Sequence, residues 1–334
     1  MSRSANGEIM RVWYDACTGK HVRYGTAIAR HLRKLGHEII FTTREHPDTV
    51  SLAKILGEKP IVVGKYNPTS LFTRLEESAD RMLQFSRMFK NNQPEAAVSH
   101  QSVELCRFAF GINIPVIVTA DTPHAAAVNR LTVPLSSVLL TSEAISQSLF
   151  KKYGAQRIIQ FRGVDEVAWT KNRDRKKPFD FKKPLIVVRQ TETKAAYALG
   201  MDDVTIKVAR KLASYGTVVF LPRYGKPKDK KLIVMDEFVD SASLAGQADL
   251  VVSVGGTIAR EAALQGTPSV VLSEFGRIEV NEYLSKKGFP LFIVESSRAL
   301  TYARKCLGKK FDVREKLKRL ENPVDVIAGI LQEK

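Results

Sequence analysis

Cysteine is scarce in this 334-residue sequence, and long apolar runs are absent. The three cysteines, Cys17, Cys106 and Cys306, stand far apart and form no C-x-x-C pair, which argues against a disulfide framework and against a cysteine-based metal site. No run approaches the roughly 18 apolar residues that a membrane helix needs, and residues 1–9 lack the apolar core of a secretory signal. We therefore expect a cytoplasmic protein with reduced thiols. If it binds a membrane, we expect it to bind as a peripheral protein.

Acidic residues are too few to balance the basic ones. The sequence has 52 Lys and Arg against 35 Asp and Glu, a formal net charge of +17. Such an excess attracts an anionic partner, which can be nucleic acid, an acidic membrane surface or a phosphorylated small molecule. A solvated basic face is the simpler alternative. No strand interleaves aromatic and basic residues as RNA-binding modules do, so charge alone does not predict a nucleic-acid-binding protein.

Short β-branched runs alternate with longer helical patterns, which is typical of parallel sheets with crossover helices. The length of the chain and its 44% hydrophobic content allow two separate cores. We predict an α/β protein with two Rossmann-like domains, whose longest helix covers 71–90. The predicted strands of the first half cover 11–15, 38–43, 61–63, 96–100, 116–120 and 137–141.

The alternating pattern lapses in the middle of the chain and then resumes. Residues 166–183 are rich in basic residues and predict a linker between an N-terminal domain at 1–165 and a C-terminal domain at 184–311. The remaining segment, 312–334, is predicted to hold one helix over 313–331 that packs back on the N-terminal domain. The predicted strands of the second half cover 185–188, 218–221, 232–235, 250–254 and 269–272.

A polar loop with one glycine follows the first predicted strand. Ligands of open α/β sheets bind beyond the carboxyl ends of the strands, so Thr18 and Gly19 face the predicted site. Gly19 would allow a tight turn, and the next helix would present its N–H groups to an anion. An imidazole titrates near pH 6.5, so His21 is a candidate base for an acceptor hydroxyl. The alternative is a histidine that only caps or packs on the helix.

Two adjacent glycines lie between two apolar runs of the second half. Gly255 and Gly256 permit close approach of the backbone to a diphosphate, whose charge the helix predicted to begin near Thr257 would meet. Glu261 lies one turn inside that helix, where a carboxylate can accept hydrogen bonds from two ribose hydroxyls. Taken alone, a tight structural turn explains the two glycines about as well.

Both motifs resemble those of known enzymes. Residues 18–22 look like the first loop of MurG, a GT-B enzyme that adds N-acetylglucosamine to a lipid-linked acceptor. Residues 255–268 are similar to the donor motif of MurG and of UDP-N-acetylglucosamine 2-epimerases. From about residue 10 to 331 the sequence more closely resembles domain-of-unknown-function family 354, a largely archaeal family of the GT-B superfamily, through pieces such as Asp121-Thr-Pro-His124 and Gly163-Val-Asp165-Glu166.

The resemblance implies a GT-B fold, with two Rossmann-like domains facing each other across a cleft. The acceptor would bind the N-terminal domain and the nucleotide the C-terminal domain. It places His21 near the transferred sugar, Gly255 and Gly256 near the diphosphate, and Glu261 near the ribose. Lys20 departs from the glycine usual in MurG and puts a cation beside the anion site.

The six histidines are confined to the first 124 residues. His100, Asp121 and His124 follow predicted strands, so their loops are expected at one edge of a sheet. Asp121 with His124 is a candidate acid/base pair. The alternative is a metal site made from all three side chains, whereas GT-B enzymes, as the resemblance presents them, rely on helix dipoles and side chains. The 2-epimerases draw on a histidine in the second half, and its absence here counts against epimerisation.

Charged residues also follow the strands of the second half. Arg189 ends an apolar run and Arg223 follows the next one, so both are candidates for binding phosphates, as is Lys194. Surface solvation is the alternative for Lys194. The predicted catalytic residues are His21, Asp121 and His124, and the predicted binding residues are Thr18, Gly19, His100, Arg189, Glu192, Lys194, Arg223, Gly255, Gly256, Thr257 and Glu261.

We therefore expect a metal-independent glycosyltransferase that needs no cofactor and uses a nucleotide sugar, UDP-linked, as donor. Its acceptor stays open, although the basic linker beside Trp169 suits an anionic lipid surface, where each cation is worth about 1 kcal/mol. The alternatives are a sugar-nucleotide epimerase and a non-catalytic GT-B scaffold that binds RNA or another polyanion. RNA affinity would fall steeply with salt, and binding of a sugar nucleotide would not.

Overall fold

A computed structural model describes residues 8–171, 179–191, 203–223, 225, 227–235, 238–273 and 278–333 of the chain. The chain divides into two compact units, each with a sheet of its own. Unit 1 comprises Met1–Trp169 and Glu321–Lys334, and unit 2 comprises Thr170–Leu320.

Unit 1 contains a parallel sheet of seven strands in the order β3-β2-β1-β4-β5-β6-β7. Its strands are β1 (Arg11–Ala16), β2 (Glu38–Glu45), β3 (Ile61–Lys65), β4 (Ala96–Ser99), β5 (Val116–Thr119), β6 (Val138–Ser142) and β7 (Ile158–Phe161). Its helices are α1 (Gly19–Lys34), α2 (Pro47–Leu56), α3 (Leu71–Phe89), α4 (Val103–Gly111), α5 (Ala126–Thr132), α6 (Ser148–Lys151) and α7 (Val167–Thr170), followed near the end of the chain by a helix over Pro323–Gln332.

Unit 2 contains a parallel sheet of six strands in the order β10-β9-β8-β11-β12-β13. Its strands are β8 (Leu185–Arg189), β9 (Thr217–Leu221), β10 (Ile233–Val234), β11 (Leu250–Ser253), β12 (Ser269–Leu272) and β13 (Leu291–Val294). Its helices are α8 (Val204–Leu212), α9 (Ser241–Gln247), α10 (Thr257–Leu264), α11 (Glu279–Lys286), α12 (Ala299–Cys306) and α13 (Arg314–Lys318), and the helix over Pro323–Gln332 that returns to unit 1 is α14.

The side chains of β1 point alternately to the two faces of the unit 1 sheet, and both faces are covered. Val12 and Tyr14 lie in one core cluster with residues of α1 and α14, whereas Trp13 points to the other face. There the Trp13 indole packs edge-on to the ring of Phe85, with ring centroids 4.7 Å apart, and also contacts Phe89. Buried parallel strands of this kind need helices on both sides of the sheet.

All the predicted strands are present, and their bounds differ from the prediction by at most two residues. Two further strands, β7 and β13, were not predicted. The single helix expected over 313–331 is wrong: the segment forms α13 and α14, because the Asn322 side chain accepts a hydrogen bond from the backbone N–H of Val324 and Pro323 begins a new helix. Within the expected linker, α7 begins at Val167, and 172–178 lie outside the described residues.

The strand order places a topological switch point in each sheet. In unit 1 the chain reverses its direction of travel between β1 and β4, and in unit 2 between β8 and β11. Open α/β sheets bind ligands beyond the carboxyl ends of the strands at such points. The loops that carry the predicted site residues Gly19 and Gly255 follow β1 and β11, at these two positions. Within the part of the chain described above, every helix is too short or too polar to span a membrane.

Candidate functional site

Three loops of unit 1 bring His100, Asp121 and Asp165 together at the carboxyl ends of the strands. The buried His100 ring shares a hydrogen bond of 2.7 Å between its Nδ1 and the Thr119 Oγ1 at the end of β5. Its Nε2 then lies 3.7 Å from the Asp121 Oδ1 and 3.9 Å from the Asp165 Oδ2. The predicted convergence of His100 and Asp121 is therefore found, with Asp165 as a residue that sequence reasoning missed.

Lys20, at the start of α1, pairs with both carboxylates. Its Nζ lies 2.5 Å from the Asp121 Oδ2 and 2.8 Å from the Asp165 Oδ2. The sequence suggested a cation placed beside a bound anion. The structure instead places this ammonium in contact with the protein's own carboxylates, so its charge is largely balanced within unit 1.

His21 is held as a neutral hydrogen-bond donor. The backbone N–H of Cys17 donates to its Nδ1 at 3.3 Å, so the ring proton lies on Nε2. Burial, with the neighbouring His100 and Lys20, holds the pKa of His21 well below 6.5. The His21 and His100 rings meet edge to face, with centroids 5.0 Å apart. In this tautomer His21 offers a proton rather than a lone pair at Nε2, which suits orientation of a ligand better than removal of its proton.

Thr18 caps α1, and Gly19 begins it. The Thr18 Oγ1 accepts a hydrogen bond from the backbone N–H of His21 at 3.4 Å. Gly19 does not have a positive φ, and among the described residues a Cβ there would meet the Leu52 Cδ2 at an ordinary 3.7 Å. Two residues, Cys17 and Thr18, connect β1 to α1, and neither φ nor space requires a glycine at position 19.

A buried ion pair between Asp15 and Arg81 stabilises the loops that carry the unit 1 cluster. Asp15 near the end of β1 accepts hydrogen bonds from Arg81, Ser102 and Thr42, and the closest Arg81–Asp15 contact is 2.8 Å. Burial alone would raise the pKa of Asp15, but Arg81 and the two hydroxyls hold it below its ordinary value. Ser102 also caps α4, so this network fixes the loop between β4 and α4 that carries His100.

His124 lies apart from this cluster of ligand atoms. Its side chain is exposed, whereas the atoms of His100, Asp121 and Asp165 all lie within 4.8 Å of one another. Among the residues that the structure describes, the third potential metal ligand beside His100 and Asp121 is therefore Asp165 rather than His124. The acid/base pairing of Asp121 with His124 stays a prediction.

The two glycines of unit 2 adopt conformations that glycine alone readily provides. Gly255 has φ +98°, and Gly256 has φ +89° with ψ 179° and occupies the N-cap position of α10. A Cβ at Gly255 would lie 3.0 Å from the Ile278 Cδ1, whereas a Cβ at Gly256 would meet no heavy atom of the described residues within 4 Å. Among those residues, the backbone at the start of α10 is left uncovered, as an anion site requires.

The other described residues predicted for the unit 2 site lie on α10 and at the ends of β8 and β9. Thr257 is the first residue of α10, and Glu261 lies one turn later with 1% of its surface exposed. Arg189 donates to the carbonyl of Pro222, and Arg223 donates to the carbonyl of Gln190, so the two guanidiniums cross-link the loops after β8 and β9. Glu192 and Lys194 lie outside the described residues.

Solved structures share this fold. The UDP-GlcNAc 2-epimerase of Methanocaldococcus jannaschii, in complex with UDP-GlcNAc and UDP, is similar with a TM-score of 0.70 and 15% identity, over 97% of this chain and 100% of that one. The glycosyltransferase SnogD of Streptomyces nogalater is similar with a TM-score of 0.60 and 16% identity, over 97% of this chain and 99% of that one. With its two parallel sheets, the chain is confirmed to have a fold of the GT-B type.

Sequence comparison identifies the family. Uncharacterized protein MJ0665 of Methanocaldococcus jannaschii is 31% identical over 333 residues, which are 95% of this chain and 96% of that protein. Residues 10–334 match the family described as "Protein of unknown function (DUF354)". The resemblance drawn from the sequence is thereby confirmed, and the chain belongs to the DUF354 family.

Proposed function

We propose that this chain is a sugar-nucleotide enzyme of the glycosyltransferase type, which binds a UDP-linked sugar through unit 2. The observation that carries the proposal is the corner at Gly255 and Gly256, at the switch point of the unit 2 sheet. There no described residue covers the backbone at Gly256, which leads into a helix N-terminus. Proteins of the same fold include enzymes whose structures hold UDP or UDP-GlcNAc, which supports the choice of nucleotide.

In this proposal the diphosphate binds the backbone at the start of α10. N–H groups of a first helical turn and the positive end of the helix dipole favour a bound anion. Arg189 and Arg223 supply the balancing charge, and their hydrogen bonds to loop carbonyls fix the planes of their guanidiniums. A guanidinium anchored in this way loses little side-chain entropy when it meets a phosphate.

Glu261 is assigned to the ribose hydroxyls. Its carboxylate follows the glycine corner by about one helical turn, but it is almost fully buried in the structure. A ribose can reach it only if the surface above the start of α10 opens as the nucleotide enters. The proposal therefore includes a local rearrangement of this corner on binding.

Unit 1 is assigned the acceptor chemistry. We assign the proton of an acceptor hydroxyl to Asp121, because its carboxylate is partly exposed and lies beside the His100 imidazole. The Lys20 ammonium keeps this carboxylate ionised but weakens it as a base, so the assignment includes a loosening of the Lys20–Asp121 contact when the acceptor binds. His21 would donate a hydrogen bond from Nε2 and orient the reacting group. This division assigns proton transfer to a carboxylate and positioning to a histidine, and it routes no step through a metal ion.

A ligand screen tests the proposal directly. Thermal unfolding should be followed with UDP-, GDP-, CMP- and dTDP-sugars and with the free nucleotides, because a ligand at 100 times its Kd adds about 2.7 kcal/mol of stability. We expect a UDP-sugar to raise the Tm of the wild-type chain and to have a much smaller effect on Glu261→Gln. A chain stabilised by none of these nucleotides, but bound by RNA with steep salt dependence, would favour the polyanion-binding scaffold.

Epimerisation is the second candidate, and the paired carboxylates favour it. Asp121 and Asp165 both contact Lys20, and two carboxyl groups at one site can remove a proton and return it. Incubation of UDP-GlcNAc in D2O without an acceptor separates the reactions. An epimerase would place deuterium on a sugar carbon and form the isomeric UDP-sugar, whereas a transferase should leave the sugar carbons unlabelled until an acceptor is added.

A further inference from the structure

The cluster of Lys20, His100, Asp121 and Asp165 has the composition of a metal site in which a side chain takes the place of the metal. The potential ligand atoms of the histidine and the two aspartates lie within 4.8 Å of one another, and the Lys20 Nζ contacts both carboxylates. We propose that Lys20 is a built-in cation filling a divalent-metal site, so that removal of its amine opens the site to an ion such as Co²⁺, Mn²⁺ or Zn²⁺.

The spacing of the potential ligands fits a metal ion after small movements. Two ligands bound about 2.1 Å from one ion at a tetrahedral angle are about 3.4 Å apart. The His100 Nε2 lies 3.7 Å from the Asp121 Oδ1 and 3.9 Å from the Asp165 Oδ2. The hydrogen bond between the His100 Nδ1 and Thr119 leaves Nε2 directed at the carboxylates, in the way that metal-binding histidines are usually oriented.

Burial makes a cation necessary at this position. The side chains of His100 and Asp165 are 4% and 3% exposed, and those of Asp121 and Lys20 are 11% and 15% exposed. Two carboxylates this close in a poorly hydrated site repel each other unless a positive charge lies between them. With Lys20 removed, a divalent ion with carboxylate and imidazole ligands would restore that charge.

Tyr24 provides a second, independent sign that the cluster can accommodate a hydrated ion. Its side chain is fully buried, and its ring centroid lies 5.6 Å from that of His100. Among the described residues its hydroxyl has no hydrogen-bond partner, which is costly for a buried polar group. Because the two rings are neighbours, a water molecule beside the cluster is one potential partner for this hydroxyl.

Titration with Co²⁺ tests the proposal on the wild-type chain and two variants. Lys20→Ala removes the amine and leaves space, and Lys20→Ala with Asp165→Asn also removes one ligand. After removal of trace metal with a chelator, visible absorption should report tetrahedral or five-coordinate Co²⁺ in Lys20→Ala alone. We expect the wild-type chain and the double variant to bind Co²⁺ at least about 100-fold more weakly, since the first must displace an ammonium and the second lacks a carboxylate.

Stability measurements complete the test. Lys20→Ala should melt below the wild-type Tm without metal and regain most of the difference with Co²⁺, whereas Lys20→Arg, which keeps a cation, should show neither effect. The proposal is overturned if folded Lys20→Ala does not bind Co²⁺, or if the wild-type chain binds it as tightly. If Lys20→Ala is unfolded without metal, recovery of its near-ultraviolet circular dichroism on refolding with Co²⁺ supports the proposal, and no recovery contradicts it.

The cluster around Lys20 lies within unit 1 and needs no nucleotide for metal binding. Failure of the Co²⁺ experiment would leave the sugar-nucleotide proposal intact, because that proposal depends on the corner of unit 2. Conversely, if the chain binds no sugar nucleotide, the Lys20→Ala variant can still bind a metal ion at this site.

Discussion

Replacing Gly256 with alanine separates the structural role of the glycine corner from its proposed binding role. Gly256 has φ +89° and ψ 179°, a region in which side chains other than that of glycine are strained by about 1–3 kcal/mol. No heavy atom of the described residues lies within 4 Å of the added Cβ, so the loss of stability should come from backbone strain without a clash. We expect Gly256→Ala to unfold at a lower urea concentration, with an unchanged dependence on urea.

The same substitution at Gly57 is the matched control. Gly57 ends α2 with φ +75° and ψ 18°, and a Cβ there also meets no atom within 4 Å in the part of the chain that the structure describes. Its left-handed conformation should cost alanine about 1–2 kcal/mol. Both variants are therefore destabilised by backbone strain in open space, and only one of the two glycines belongs to the proposed site.

Calorimetric titration with a UDP-sugar then distinguishes the two positions. If the diphosphate accepts hydrogen bonds from the backbone at this corner, the methyl group added in Gly256→Ala should hinder its approach to those N–H groups. The lost hydrogen bonds should weaken binding by about 1.5–3 kcal/mol, or roughly 10- to 150-fold in Kd. Gly57→Ala should bind as the wild-type chain does. Equal affinities for Gly256→Ala and the wild-type chain would refute the assignment, as would an equal loss in both variants.

Three further predictions concern unit 1 and the thiols. Arg81→Leu leaves Asp15 buried without its cation and should lower the free energy of unfolding by about 3–5 kcal/mol at pH 7. Because burial then raises the pKa of Asp15, this loss of stability should shrink as the pH falls. Adding Asp15→Asn should recover part of the lost stability. Because the pKa of His21 is depressed in the folded chain, only the unfolded chain protonates this imidazole just below about pH 6.5. The free energy of unfolding should therefore fall by up to about 1.4 kcal/mol for each unit that the pH decreases. His21→Asn should abolish this contribution to the slope. All three cysteines are buried and burial raises the pKa of Cys17 and Cys106 to about 12, so a thiol reagent at pH 8 should label the folded chain slowly and all cysteines after denaturation.

The positions of most strands along the chain could be predicted, because the residues that form each strand are contiguous in sequence. Strands such as β1 and β12 are short apolar runs buried on both faces, and each stands between helical patterns. The two strands that sequence reasoning missed, β7 and β13, are the last in their sheets. Edge position alone does not explain the omission, because β3 and β10 lie at the opposite edges of the same sheets and were predicted.

The candidate site was only partly predictable, since its decisive contacts join distant parts of the chain. The carboxyl ends of parallel strands share an edge, which is why His100 and Asp121 could be expected together. No local pattern indicates that Lys20 meets Asp165, 145 residues later, or that Asp15 pairs with Arg81, 66 residues later. The tautomer of His21 depends equally on a single backbone N–H.

Hydrogen–deuterium exchange with and without a UDP-sugar tests the central claim most directly, because it locates the nucleotide on the chain. The account predicts slower exchange on binding at the start of α10, in the segment from Gly255 to Glu261, with a smaller effect at the ends of β8 and β9 where Arg189 and Arg223 lie. Protection confined to other segments, or no protection at a saturating concentration of ligand, would contradict it.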